Sequence, residues 1–392
     1  MKKVLVIDGS AGMIAGAQKV TLNIVNILSN NGTNVELLIR SKNSMVKSEY
    51  SAFNHTFLWG EWLLSKVLSI GATANHNGII KKAISSFIML FAIIVTNVQV
   101  CFYIITNKPS HIYTIDPRGI ILCGLACRLF RVKLIWHLHG ELRVSNIVKK
   151  IFCFLASSIV VPSRAILNSL NSNEKVTILY NGFRFEDIGK QDKVINKNSK
   201  PLIKLIFVGS IVPHKGLHKI IYAIQKLGQL SHFHLTVVGA SVGDVGLEYK
   251  QYLDEYLVKE GISGQIDFIG WSSNIPSLLV ESDLLIFPSV QSEFFVLNDK
   301  QLLIESSEAL PTVLIEAKAY GVPVIASNVA GVDEIINNKI DGYVIDSLSV
   351  DDIVNYLLNF DKYISILEPN SSEARAVFSL ESMKDNLNII FK

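Results

Sequence analysis

The chain has 392 residues, enough for two or three domains with sizeable cores. With 49% apolar and 18% charged residues, 10 Pro and 24 Gly, it is excluded from the collagen-like, disordered and disulfide-scaffold classes, while a mean hydropathy of +0.35 brings a membrane surface into consideration. The net charge of +3 conceals a division near Phe185: residues 1–185 carry 20 Lys and Arg against 7 Asp and Glu, a surplus of +13, and the remainder carries −10.

The front half is therefore expected to meet anionic lipid headgroups or an anionic substrate. Nucleic acid is not the expected partner, because no aromatic-basic ladder or known nucleic-acid motif accompanies these basic residues. Cys101, Cys123, Cys127 and Cys153 form no CxxC pair, which argues against a zinc site or a disulfide framework and for a reducing cytosol.

The opening residues imitate a secretory signal, with Lys2 and Lys3 ahead of the small run Ala15-Gly16-Ala17. The apolar stretch Val4 to Ile7 is cut by Asp8, too soon for the core of a signal, so residues 3–7 are predicted to be a first strand. Further strands are predicted over residues 35–39, 111–115, 133–139, 159–162 and 176–179, with helices over 16–29, 79–105, 119–130 and 144–156. These strands are nearly continuous apolar runs, the pattern of a parallel sheet covered on both faces. Residues 83–105 are borderline for a bilayer span, since Thr96, Asn97 and Gln99 interrupt the apolar run. Three placements are open for them: a helix buried on a sheet, one lying in a membrane interface, or a true span.

A polar stretch at 190–200 ends this alternation. It restarts after Pro201, with strands over 205–208, 235–238, 266–269, 284–287, 324–326 and 343–345. The expected organisation is a first domain over 1–185, a linker over 186–200, a second domain over 201–375, and a tail over 376–392, helical from Ser379. Two doubly wound α/β domains of this kind bind ligands at the carboxyl ends of their strands. Residues 290–307 form an unusually long connection between a strand and the next helix, read as an ordered functional loop or a lid.

Pro311 suits the first turn of a helix, Gly321 its end, and Pro323 a stop. Glu308 then stands just before a helix N-terminus and Glu316 in the second turn. Free amides and the positive dipole end at such a terminus suit a diphosphate. Nearby carboxylates suit the neutral hydroxyls of a sugar or a ribose. On spacing alone both glutamates also read as ordinary residues of a helix and its approach. Similarly, Lys215-Gly216 at a strand-to-helix turn is a reasonable but weak phosphate site.

The string Glu308-x7-Glu316, followed by Tyr320-Gly321-Val322-Pro323-Val324-Ile325-Ala326-Ser327 and Ala330-Gly331-Val332-Asp333-Glu334-Ile335, resembles the signature of retaining glycosyltransferase family 4. Phe207-Val208-Gly209-Ser210 with Lys215-Gly216-Leu217, the loop Gly12 to Val20, and Tyr180-Asn181-Gly182 resemble other parts of that family. The resemblance spans nearly the whole chain. It implies a GT-B fold, two Rossmann-like domains facing a central cleft, with the donor nucleotide-sugar in the second domain and the tail over 376–392 returning to the first.

It further implies that Lys215 neutralises the donor diphosphate, Glu308 holds the donor sugar's hydroxyls and Glu316 the ribose. Gly209, Ser210, Leu310, Pro311, Thr312 and Val313 would complete the donor site. Gly12, Ala15, Gly16 and Ala17 would form an acceptor or diphosphate loop. In Trp136-His137-Leu138-His139-Gly140-Glu141, alternation sends His137 and His139 to one face; the resemblance favours His139 as the residue touching the transferred sugar, with His137 as fallback.

Two departures stand out: the family usually has Arg at Ser210 and often Gly at Ala309. His214 or Arg164 could supply the cation missing at Ser210. No Asp-x-Asp occurs in the chain, so no metal or other cofactor is expected, and the nucleotide-sugar, carried on UDP or GDP, is a co-substrate. Transfer would keep the anomeric configuration. Charge and apolarity point to a saccharide acceptor on a lipid carrier and to an anionic membrane surface, the enzyme sitting on the cytoplasmic face in surface-polysaccharide or lipopolysaccharide assembly. A non-hydrolysing nucleotide-sugar epimerase and a non-catalytic sugar-nucleotide-binding relative are the alternatives.

Overall fold

The computed structural model describes residues 2–9, 16–39, 50–59, 79–170, 175–187, 202–228, 232–306 and 308–391. The chain divides into two compact units: Met1–Gly182 with Leu380–Lys392, and Phe183–Ser379.

Unit 1 is built on a seven-stranded parallel sheet. Its strands are β1 (Lys3–Asp8), β2 (Asn34–Ile39), β3 (Asn54–Phe57), β4 (His111–Ile115), β5 (Lys133–His137), β6 (Ser158–Val161) and β7 (Val176–Ile178), in the order β3-β2-β1-β4-β5-β6-β7. The strand order reverses between β1 and β4. Val4 to Asp8 of β1 and all five residues of β4 are buried. Helices α1 (Gly16–Asn30), α2 (Ile79–Asn107), α3 (Asp116–Phe130), α4 (Asn146–Leu155) and α5 (Arg164–Ser169) connect them. The last helix of the chain also belongs here: Met383, Leu387 and Phe391 are buried in one cluster with Val20, Ile24 and Leu28 of α1.

Helix α2 is neither wholly buried nor detached. Thr96, Asn97 and Gln99, which interrupt its apolar sequence, are buried and face the unit. Asn97 Nδ2 donates to the Ile121 carbonyl (2.9 Å) and its Oδ1 accepts from the Ala126 amide (3.1 Å). Gln99 Nε2 donates to the Phe57 carbonyl (2.9 Å) while its Oε1 accepts from the Trp59 amide (2.7 Å). Opposite these ties, Phe87, Leu90, Phe91, Ile94, Val98, Phe102 and Ile105 recur at steps of one, three and four residues and stand exposed.

Unit 2 carries a six-stranded parallel sheet: β8 (Ile203–Val208), β9 (Phe233–Val238), β10 (Ile266–Gly270), β11 (Leu284–Phe287), β14 (Val324–Ser327) and β15 (Gly342–Ile345), ordered β10-β9-β8-β11-β14-β15. Here the order reverses between β8 and β11. Around it lie α6 (Leu217–Leu227), α7 (Gly243–Glu260), α8 (Ile275–Glu281), α9 (Thr312–Ala319), α10 (Val350–Leu358), α11 (Phe360–Tyr363) and α12 (Ser371–Val377); α13 (Leu380–Ile390) is the helix returned to unit 1.

The long connection after β11 is an antiparallel hairpin, β12 (Ser292–Leu297) and β13 (Lys300–Glu305). Asn298 and Asp299 turn it, both at positive φ (48° and 60°), as a two-residue hairpin loop requires. Phe295, Leu297 and Ile304 point into the core, and Phe295 meets His218, Tyr249 and Tyr252. Lys219 Nζ donates to Glu293 at 2.9 Å and ties the hairpin to α6. The residues entering unit 2 are tied down too. The Phe183 amide donates to the Phe378 carbonyl (2.8 Å), the Glu186 amide to the Tyr320 hydroxyl (3.1 Å), and the Arg375 guanidinium lies 5.5 Å from the Phe185 ring centre and 5.3 Å from that of Tyr320. Residues 188–200, most of the expected linker, lie outside the described residues.

Candidate functional site

In an open α/β sheet the loops that follow the two strands flanking the order reversal splay apart and leave room for a ligand. In unit 2 these are the loops after β8 and β11, and they carry the residues singled out in the sequence. From β8 the chain runs through Gly209 and Ser210 into a short turn, Pro213–Lys215, and then α6. From β11 it passes Pro288 and Ser289, makes the hairpin, and returns through Glu308 to α9.

Gly216 allows the two loops to meet. It adopts φ +72°, and a Cβ there would collide with the Pro288 carbonyl oxygen. The Val290 amide donates to the His214 carbonyl at 2.8 Å, adding a second tie. Lys215 and Glu308, 93 positions apart, consequently form an ion pair, with side chains 21% and 13% exposed. Ser289 Oγ donates to the same Glu308 oxygen (3.3 Å), and the Glu308 amide donates to Ser306 Oγ (3.1 Å). The Lys215 ammonium also lies 5.8 Å from the centre of the Phe287 ring. His214 is partly buried beside this pair; burial lowers its pKa, Lys215 lowers it further, and Glu308 opposes both.

Helix α9 begins at Thr312 with Pro311 as its N-cap, one residue later than the sequence suggests, and no side chain caps it. Its first amides are thus not taken by a capping side chain. Ala309, Leu310, Pro311 and Val313 are buried and Thr312 half-buried. Gly331, at φ +80°, packs directly on the Ala309 carbonyl, leaving no space for a Cβ, which gives the Ala330-Gly331-Val332 segment a role in holding this approach. Glu316 is half-buried in the second turn. Lys318, two residues on, is held in the interior by Asp341 (2.8 Å) and Glu373 (2.7 Å), and it anchors the helix from behind.

Unit 1 gathers a second group at the carboxyl ends of its strands. His137 and His139 do share a face: their ring centres are 3.9 Å apart. The Tyr113 hydroxyl is hydrogen-bonded to His137 Nδ1. Burial lowers the pKa of His139 to about 4; His137 is held well below the usual histidine range by burial and then by His139, so both rings are neutral near pH 7. His137 Nε2, His139 Nε2 and Asn181 Oδ1 are buried without a hydrogen-bond partner, and each such group calls for an explanation.

Gly12 and Ala15 lie outside the described residues, and Gly16 and Ala17 open α1. Arg164 is exposed at the start of α5 in unit 1. Among the described residues no group of three or more His, Cys, Asp or Glu is placed to hold a metal ion. Sequence reasoning passed over Ser289 and Ser306 as partners of Glu308. Ser289 follows the Phe287-Pro288 pair, but nothing in that spacing shows its hydroxyl turning toward a residue nineteen positions on.

Comparison with known proteins adds to this geometry. The family described as "Glycosyl transferases group 1" matches residues 187–362. An uncharacterized protein in the cps region of Klebsiella pneumoniae is 26% identical over 54% of this chain and 52% of its own length. An Escherichia coli UDP-Gal:alpha-D-GlcNAc-diphosphoundecaprenol alpha-1,3-galactosyltransferase is 28% identical over 32% of this chain and 27% of its own. CapM of Staphylococcus aureus, a capsular polysaccharide biosynthesis glycosyltransferase, is 25% identical over 62% and 58% respectively. The matches thus span from about a quarter to somewhat over half of these relatives' lengths. Among solved structures, Anabaena HepE in complex with UDP superposes with a TM-score of 0.73 at 17% identity, covering 100% of this chain and 99% of that one, a likeness of fold. Residues 187–362 thus match the glycosyl transferases group 1 family, on a chain with the two Rossmann-like units of the GT-B fold.

Proposed function

We propose that the chain is a retaining, metal-independent glycosyltransferase that moves a sugar from a nucleotide carrier, UDP before GDP, to a lipid-linked saccharide, on the cytoplasmic face of the membrane, in surface-polysaccharide or lipopolysaccharide synthesis. The observation that carries this reading is the Lys215–Glu308 pair at the order reversal of unit 2, beside the uncapped start of α9. UDP is supported by the HepE complex and by the donor in the Escherichia coli relative's name; that name also supports a lipid-diphosphate acceptor.

In this reading the pair is a resting arrangement. An arriving diphosphate draws the Lys215 ammonium away from Glu308, and the freed carboxylate turns to the donor sugar's hydroxyls. Gly209 and Ser210 leave room for the phosphates, which also meet the amides at Thr312 and Val313 behind Leu310 and Pro311. Glu316 holds the ribose. The bond from the anomeric carbon to the diphosphate oxygen then breaks through an oxocarbenium-like state, and the acceptor hydroxyl attacks from the same face, passing its proton to the departing diphosphate oxygen. Lys215 and the helix end stabilise the charge of the departing diphosphate, a role for preorganised donors. His139, neutral, presents its unpartnered Nε2 to the transferred sugar, and Gly12, Ala15, Gly16 and Ala17 are assigned to the acceptor or the diphosphate.

A thermal-shift panel of UDP-, GDP- and ADP-sugars tests the reading, because a ligand at 100 times its dissociation constant adds about 2.7 kcal/mol of apparent stability. UDP-sugars are expected to raise the melting temperature in the wild type and to do so weakly or not at all in Glu316→Ala. No shift with any of the three nucleotides would remove the donor assignment.

A further inference from the structure

Helices α2, α3 and α4 lie side by side on one face of the unit 1 sheet. Asn97 joins α2 to α3 through Ile121 and Ala126, and the Arg128 guanidinium of α3 sits 4.2 Å from the centre of the Phe154 ring of α4. The outward stripe of α2 continues onto them: Leu125 and Leu129 of α3, and Ile147, Ile151 and Phe154 of α4, are all exposed. Soluble proteins seldom leave so continuous an apolar face in water.

Basic residues are set within this face. Arg128 lies between Leu125 and Leu129, and Lys150 between Ile147 and Ile151, at the helical steps that put them on the same stripe, and both are exposed. Their aliphatic stems can lie along the apolar surface while their charges reach past it. The only acidic residue on the three helices is Asp116, at the first position of α3. A second copy of this chain seated on the same face would bring Arg128 and Lys150 against their own kind, which is unfavourable. A bilayer surface offers what both kinds of side chain need, an acyl boundary beneath anionic headgroups.

We infer that the joined outer faces of α2, α3 and α4 are a bilayer-docking surface, with α2 lying in the membrane plane rather than crossing it. The polar ties of Asn97 and Gln99 hold α2 to its own unit, so it enters the interface by one stripe only. The inference deepens the membrane location proposed above and rests on that reading for its partner.

Flotation of the full chain with vesicles tests it. Wild type is expected to float at low salt with phosphatidylcholine vesicles containing phosphatidylglycerol, and less well with phosphatidylcholine alone. A variant with Ile94→Asp and Phe102→Asp, both exposed positions, is expected to lower the bound fraction about tenfold. Arg128→Glu with Lys150→Glu is expected to abolish the preference for anionic vesicles, as high salt does for wild type. Melting temperature and the shift given by UDP-sugars are read on every protein and should not change. Wild type failing to float with either vesicle, or the Ile94/Phe102 variant floating like wild type, would overturn the inference. So would light scattering that shows a dimer in wild type and a monomer in that variant, since a second copy would then occupy the face. If flotation behaves as expected and no UDP-, GDP- or ADP-sugar shifts the melt, the docking surface stands and the donor assignment fails.

Discussion

Gly216 and Pro288 meet backbone to backbone, and this contact brings the loops after β8 and β11 within reach of each other. A side chain at Gly216 faces two penalties, a left-handed φ of +72° and a collision with the Pro288 carbonyl oxygen. The left-handed conformation alone costs an alanine about 1–2 kcal/mol. Gly216→Ala is expected to lower the melting temperature by several degrees and to weaken the nucleotide-sugar shift more than Gly321→Ala, which has a similar φ of +71° and open space around it. Equal effects from the two would show that the contact does not matter.

Glu308→Gln keeps the shape of the side chain and removes its charge. The folded protein should tolerate it, since Ser289 and Ser306 remain beside it. Transfer is expected to fall roughly 100-fold, the scale seen when a single electrostatic contact to a transition state is removed. Lys215→Ala should lose donor affinity as well as rate. A Glu308→Gln enzyme turning over at the wild-type rate would contradict the role proposed for its carboxylate.

Acid should loosen unit 1 before it strips charge from carboxylates. His139 has its pKa lowered by burial to about 4, against about 6.5 in an unfolded chain. The unfolded state then binds more protons throughout pH 4 to 6.5, so stability falls as pH drops through that window and is fully present above it. Fully expressed below that window, the contribution of His139 to this loss is roughly 3 kcal/mol. Melting curves from pH 7.5 to 4.5 should show the loss, and His139→Gln should lessen it, the share due to buried His137 remaining; an unchanged slope in that variant would place the sensitivity elsewhere.

Lys318 is 3% exposed and its partner Asp341 is fully buried. Lys318→Met leaves that carboxylate without its cation and is expected to destabilise unit 2 by about 3–5 kcal/mol, the scale for breaking a buried pair. Hydrogen bonding from Lys318 also holds the Glu373 carboxyl below its ordinary range. Its stabilising share is therefore present above the usual carboxylate range and is lost only below it, at a lower pH than the histidine effect. Urea melts of wild type and variant at pH 7 and pH 4 distinguish the two.

The hairpin turn gives a change in the other direction. Asp299 sits at φ +60°, where glycine is easier, so Asp299→Gly is expected to leave stability unchanged or raise it by a few tenths of a kcal/mol, without altering the nucleotide-sugar shift.

The parallel strands were readable because runs such as Val4 to Ile7 and Leu284 to Phe287 are apolar without interruption, and burial on both faces demands that. Strand β3 was not, because Asn54-His55-Thr56-Phe57 lies at a sheet edge, where alternate residues stay exposed and no apolar run is required. The region after β11 read as a loop because one long interval was taken as a single connection, although Asn298-Asp299 between two alternating segments is a hairpin signal. For α2 the sequence names the right residues and lacks their direction: Asn97 and Gln99 count as interruptions along the chain, and only the fold shows that they face inward and leave an apolar stripe from Phe87 to Ile105 on the other side. In the candidate site, Lys215, Glu308 and Glu316 stood out through family resemblance, whereas the pairing of Lys215 with Glu308 depends on strand order, which no local pattern encodes.

The hydrogen bond from the Phe183 amide to the Phe378 carbonyl closes a circle. Unit 2 is one uninterrupted segment whose first and last residues are neighbours, inserted between Gly182 and Leu380 of the other unit. A segment with adjoining ends can be lifted out, or replaced by another of the same outline, without leaving a distance to bridge. On the function proposed above, donor choice lies within that segment, so an exchange of unit 2 would alter the donor and leave the apolar flank of unit 1 as it is.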